Sequence, residues 1–354
     1  MWAMRSTVRA VVLAAAVALA AAGCSTSDAE RADGTGGPSL GVVQGDSGNS
    51  VGHRSAADVN LPGTRIALIA FANNPFWDTV IQGAEAANHE LSAHGASVDY
   101  ITAGSAMDVP TVENALNSAV SQGYDAIGVV SLADGACPAI SRAAAAVPVA
   151  TFIAEGNCAQ QAGAAFFRGQ PAIDAGAKAA TAMAQATLCT GSIGIITGSF
   201  SVQQHEQRRQ GFVDAYAQEC PGSPIVGTVE NGDDAGQALS QANDLMTANP
   251  DLRGIYVTAG GPFGAGQAVQ QRGRTGKVAV VAYDFVPQNV DLIRSGVMQA
   301  AVGQDPYGSS YDTAIDLFNM LAGQPKPEKY FQPVDVAVMT TENVDEVLRS
   351  QGTE

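Results

Sequence analysis

Basic residues are scarce in this chain: 18 Lys and Arg stand against 34 Asp and Glu in 354 residues, for a net charge of −16 and a pI near 4.5. A nucleic-acid surface needs clustered cations to displace phosphate counterions, so that class of partner is excluded. Histidine is equally sparse. His53, His89, His94 and His205 form no ligand set and no CxxC spacing accompanies them, so no metal centre is expected. The sequence also lacks a G-x-S-x-G elbow, a P-loop and a dinucleotide fingerprint. Its glycine-rich turn, Gly260 to Gly266, has Val269 where the third Gly of that fingerprint belongs. Neither catalysis nor a cofactor is therefore expected.

What is present begins at the N-terminus. Arg5 and Arg9 precede an apolar run from Ala10 to Ala22, which ends in Gly23-Cys24-Ser25. That run falls short of the ~20 residues a membrane span needs but suits a secretory signal over residues 1–23. Leu19-Ala20-Ala21-Ala22-Gly23-Cys24 resembles the bacterial lipobox, although Ala21 stands where the usual Leu would be. The resemblance implies a lipidated Cys24, a membrane anchor and an exported protein. Residues 24–62 are rich in Gly, Ser and Asp, show no apolar periodicity, and read as a flexible tether. Four cysteines remain, an even count that in an exported chain points to two disulfides. Three pairings are possible, and the preferred one joins Cys137 to Cys158 and Cys189 to Cys220, because each pair then brackets one helix and its turns.

With 46% hydrophobic residues the chain can fill two cores. From Thr64 onward, short β-branched runs alternate with longer Ala-rich segments of helical period, the pattern of βαβ units around parallel sheets. The fold class is α/β. Strands are expected at 65–71, 98–102, 126–131 and 149–152 in a first sheet, and at 192–197, 225–230, 254–258 and 278–283 in a second. Helices lie between them, including one over Glu206 to Gln218, and the segment from Pro287 to Leu321 follows. Open parallel sheets bind ligands beyond the carboxyl ends of their strands. Two facing sheets would share a cleft there.

The residues at those strand ends carry a resemblance. Asn73-Asn74-Pro75-Phe76-Trp77, Val281-Ala282-Tyr283-Asp284, and the stretch from Gly296 through Ala300-Ala301-Val302-Gly303-Gln304-Asp305-Pro306 occur in order. Together they resemble the ribose-binding-like, type I periplasmic binding proteins over about Thr64 to Val344. The resemblance implies two doubly wound parallel-sheet lobes joined by a three-strand hinge, with crossovers near 166–171, 284–287 and 323–333. It puts residues 63–168 and 286–322 in one lobe, and 169–285 and 323–354 in the other. It further implies a monomeric binding protein that delivers a sugar or polyol to the permease of an ABC importer. A sensor reporting to a membrane receptor or kinase, or a binder of a non-sugar polar metabolite, is the alternative.

A sugar offers apolar faces and a hydroxyl rim, so its site combines stacking aromatics with planar polar groups. Phe76 and Trp77 would cover the faces; Asn74, Asp284 and Gln304 would grip the rim, and Ser131 and Glu155 are further candidates. The sequence also departs from the family. An Asp-Arg pair is missing after the fourth strand, where Thr151-Phe152-Ile153-Ala154-Glu155 stands. The Arg of the second lobe falls at about Glu206, with Arg208 and Arg209 nearby, and Gly260-Gly261 replaces side-chain donors with backbone N–H groups. A rim without that arginine is expected.

Overall fold

The computed structural model describes residues 53–350 apart from Ser105; the expected signal segment, Cys24 and most of the tether lie outside the described residues. The first series of elements is β1 (Arg65–Ala70), α1 (Phe76–Ser92), β2 (Ser97–Thr102), α2 (Val109–Ser121), β3 (Ala126–Val129), α3 (Cys137–Ala144), β4 (Val149–Phe152) and β5 (Phe167–Gly169). Strands such as RIALIA are apolar on both faces because helices cover both sides of the sheet. Helix starts are written in side chains. Asp108 Oδ1 accepts the Thr111 N–H at the head of α2, with Pro110 in the first turn.

A second series follows: α4 (Ala172–Thr187), β6 (Ser192–Thr197), α5 (Gln203–Glu219), β7 (Ile225–Glu230), α6 (Ala235–Ala248), β8 (Leu252–Val257), α7 (Pro262–Gln271), β9 (Ala279–Tyr283), α8 (Pro287–Arg294) and β10 (Ala300–Val302). The chain ends with α9 (Pro306–Leu321), β11 (Phe331–Pro333), β12 (Val338–Thr340) and α10 (Val344–Ser350). Two six-stranded sheets result, ordered β11-β5-β4-β3-β1-β2 and β12-β10-β9-β8-β6-β7. The first is parallel throughout; in the second only the β10–β12 pairing is antiparallel. One hydrophobic core serves the first lobe, and two clusters flank the second sheet.

The lobe assignment implied by the family resemblance needs correcting at two places. Residues 286–302 do not join the first lobe: β10 pairs in parallel with β9, and α8 packs against α7 and α10. The connection after β9 forms a βαβ unit, with α8 and β10 staying on the sheet they left. The chain crosses only after β10, at 303–305, and α9 alone returns to pack on α1, β1, β3 and β4. Likewise β11 pairs with β5 in the first sheet, so the last crossover follows Pro333. The crossovers are therefore 169–171, 303–305 and 334–337.

The stretch from His53 to Pro62 also differs from the expected tether. It is a strap laid on α9 and α1, in which the N–H groups of Arg54, Ala56 and Ala57 donate to the side chains of Asp312, Glu90 and Asn319. Arg54 adds an ion pair with Asp316 at 3.0 Å. The N–H groups of Arg54, Ala56 and Ala57 find side-chain acceptors and those of Val59 and Leu61 backbone carbonyls, so the strap is ordered without a helix or strand. Both disulfides join the preferred partners, Cys137 to Cys158 and Cys189 to Cys220.

Candidate ligand-binding cleft

The carboxyl ends of both sheets face a common cavity. From the first lobe, Asn74 opens α1: its Oδ1 accepts the Phe76 N–H at 3.0 Å. Phe76 and Trp77 follow in the first turn, 7% and 3% exposed, with their rings edge to face at 5.0 Å. Both line the cavity and also belong to the first lobe's core. The Trp77 indole N–H is fully buried without a protein partner.

The second lobe supplies a hydrogen-bonded chain. Asp284 follows β9 in the left-handed region at φ 73°, and Asn289 Nδ2 holds that turn by donating to the carbonyls of Tyr283 and Asp284. Gln304 Nε2 donates to Asp284 Oδ1 at 2.6 Å, and Gln304 Oε1 accepts from Arg208 Nη2 at 2.6 Å. Arg208 Nε donates to Gln170 Oε1 at 2.9 Å, while Gln170 Nε2 donates to the Gly303 carbonyl at 2.6 Å. The chain thus links two of the three crossovers. Arg208 is 1% exposed, gives Nη1 to the Thr258 carbonyl, and lies 4.0 Å over the Tyr283 ring. Its position follows from a close approach of α4 and α5, where a side chain on Gly176 would sit 2.2 Å from the Arg208 carbonyl.

Asp233, after β7, completes this wall: its Oδ1 accepts the Gly260 N–H at 2.9 Å. Burial pushes the carboxyls of Asp233 and Asp284 up to about 6, and the nearby Arg208 cation opposes that rise in both. His205 is driven down to about 3, first by burial and then by Arg208. Its Nδ1 accepts the Ser199 N–H, which fixes a neutral ring with the proton on Nε2.

Of the residues singled out from sequence, Asn74, Phe76, Trp77, Asp284 and Gln304 come together around this cavity. Ser131 and Glu155 do not. Ser131 is wholly buried behind the lining, and the Glu155 carboxylate turns away to accept bonds from Thr151 Oγ1 and Tyr330 Oη at 2.5 and 2.6 Å. The expectation of a rim without arginine is overturned by Arg208. The N–H of Gly260, expected to be free for a ligand, is taken by Asp233. Sequence reasoning also passed over Asp233, Gln204, His205, Leu132 and Ile153. Inspecting the residues after the edge strand β7 would have found Asp233.

The lobes touch across the mouth of the cleft. The Gln203 N–H donates to the Leu132 carbonyl at 3.0 Å, and Gln204 Nε2 donates to the Ile153 carbonyl at 2.6 Å. Leu132 and Ile153 both have φ of 64°, a conformation that is costly for such side chains and that clusters at functional sites. The Cys137–Cys158 disulfide ties together the two loops that carry them.

Residues 66–325 match the family described as periplasmic binding protein domain. The chain belongs to that family. Among curated periplasmic binding proteins, it is 32% identical over 117 residues to the D-allose-binding periplasmic protein of Escherichia coli, covering 33% of this chain and 37% of that one. It is 28% identical over 139 residues to the D-ribose/D-allose-binding protein of Pseudomonas aeruginosa, covering 39% and 43%. These matches therefore span less than half of each relative's length. An ABC transporter solute binding protein from Agrobacterium vitis, solved with alpha-D-tagatopyranose, superposes with a TM-score of 0.72 at 26% identity, covering 79% of this chain and 96% of its own. A glucose-galactose binding protein from Geobacillus stearothermophilus shares the fold, with a TM-score of 0.71 at 24% identity, over 79% and 98%. The family and these structural neighbours are solute-binding proteins, and their periplasmic setting places this chain outside the cytoplasm. Among the described residues, no helix is long and apolar enough to cross a membrane.

Proposed function

We propose that this protein captures a small sugar between its two lobes and delivers it to an ABC importer, held at the outer face of the membrane by a lipid on Cys24. The observation that carries this reading is the Asp284–Gln304–Arg208–Gln170 chain, which joins a polar ligand wall directly to two hinge crossovers. A ligand whose hydroxyls donate to Asp233 and Asp284 on one lobe while its other face meets Phe76 and Trp77 on the other would favour the closed arrangement, because both sets of contacts are made together only when the lobes meet. The relatives' printed sugars and transporter association support the same reading.

A thermal-shift screen of the mature chain against pentoses, hexoses and polyols tests it, because a ligand raises stability with the logarithm of its concentration over Kd. Asp284→Ala and Trp77→Ala are each expected to weaken the best ligand by roughly tenfold or more, given about 1.5 to 3 kcal/mol for a charged hydrogen bond. Unchanged affinity in both variants would refute the site.

A further inference from the structure

The two walls of the cleft differ in kind. On the second-lobe wall, Asp233 Oδ1 and Asp284 Oδ1 are engaged within the protein, which leaves one oxygen of each carboxylate to accept from a ligand. On the first-lobe wall stand Phe76, Met107, Leu132, Ile153 and Ala154. Its polar groups are the Trp77 indole N–H and the Asn74 amide, and the amide oxygen already accepts from the Phe76 N–H. The carbonyls of Leu132, Ile153 and Ala154 are likewise taken, by Gln203 N–H, Gln204 Nε2 and Ser131 N–H. Charged side chains of that lobe are committed elsewhere: Glu155 to Thr151 and Tyr330, and Arg168 to Asp316.

The first-lobe wall therefore offers donors, while each of the acceptors named on it already holds a hydrogen bond within the protein. An ether oxygen or a hydroxyl oxygen can be served there, whereas a hydroxyl hydrogen would have to share an oxygen already bonded within the protein, the weaker arrangement. A hydrogen or methyl group in the same place would rest on apolar side chains. We infer that the ligand is a deoxy sugar, with adjacent hydroxyls directed at Asp233 and Asp284 and its hydroxyl-free edge against Leu132, Ile153 and Met107. This rests on the sugar-binding reading above and names the subclass that reading leaves open.

Titration calorimetry with stereochemically matched pairs, each a hexose and its 6-deoxy counterpart, separates the two claims. The expected result is that the deoxy member of at least one pair binds about tenfold or more tightly than its parent, the discrimination that one buried group commonly gives. Equal or tighter binding of the hydroxylated member in every pair that binds overturns the inference and leaves the sugar reading standing. No binding by any pentose, hexose or deoxyhexose overturns both. Ile153→Asn supplies an independent check, since asparagine tolerates a positive φ and would place an amide oxygen on the apolar wall. It should narrow the deoxy preference by improving affinity for the parent hexose; a folded variant with an unchanged ratio overturns the assignment of that wall.

Discussion

Replacing Arg208 with Met retains bulk and apolar stem but removes every donor. Four consequences follow at once: Gln170 Oε1, Gln304 Oε1 and the Thr258 carbonyl lose their hydrogen-bond donor, and the Tyr283 ring loses its cation. Each orphaned buried acceptor costs about 1 to 3 kcal/mol. The guanidinium's own desolvation is relieved, so the net loss should be about 3 to 5 kcal/mol, as when one partner of a buried charged network is removed. Asp233 and Asp284 then lose the cation that holds their carboxyls down against burial, and both rise further above the unfolded value. A carboxyl with a raised folded-state pKa gives the folded protein the extra proton. Acidification from pH 7.5 towards 5 therefore favours the folded variant, and the deficit against wild type should shrink over that interval. Urea unfolding followed by circular dichroism at both pH values measures this. A loss under about 1 kcal/mol, or the same loss at pH 5 and 7.5, would show that Arg208 neither anchors the hinge nor compensates the two aspartates.

Ligand affinity should itself fall as pH drops through about 6, because hydroxyl donors need the ionised carboxylates; calorimetry at pH 7.5 and 5 should show about a tenfold loss for each aspartate that must release a proton. Removing Cys189 and Cys220 together, by alanine, opens a crosslink of sequence separation 31 and should lower unfolding stability by about 3 to 4 kcal/mol, measured by denaturant titration. Gly83→Ala would place a methyl 2.3 Å from both the Tyr307 carbonyl oxygen and Ser310 Oγ, where α1 meets α9, and should cost about 1 to 3 kcal/mol in a thermal melt.

Much of the cleft was legible in sequence because its residues directly follow buried β-branched runs. Asn74 and Trp77 come just after RIALIAF, Asp284 after VVAY and Gln304 after AAVG, so locating a strand end located the residue. Arg208 lay outside that logic. It projects from α5, whose opening QQHEQRRQ has almost no apolar period, and the helix starts at Gln203 rather than Glu206, ahead of the residues that reach the cleft. The lobe of α8 and β10 was hidden for a different reason: hydrophobic period identifies a strand but not the sheet it joins. The strap from His53 carries no periodic signal, since its order comes from side chains such as Asp312, which is 258 positions from Arg54.

The left-handed turns at Leu132 and Ile153 are built within one lobe, by their own strands and by the Cys137–Cys158 crosslink. Their carbonyl oxygens are accordingly presented to Gln203 and Gln204 by turns that the first lobe fixes on its own, like a keeper plate already screwed to the door frame. Swinging shut need not remodel either loop. Of the three short backbone crossings, those at 169–171 and 334–337 hold no residue that lines the cavity, so the tightness of capture can be tuned there without touching a residue that meets the solute.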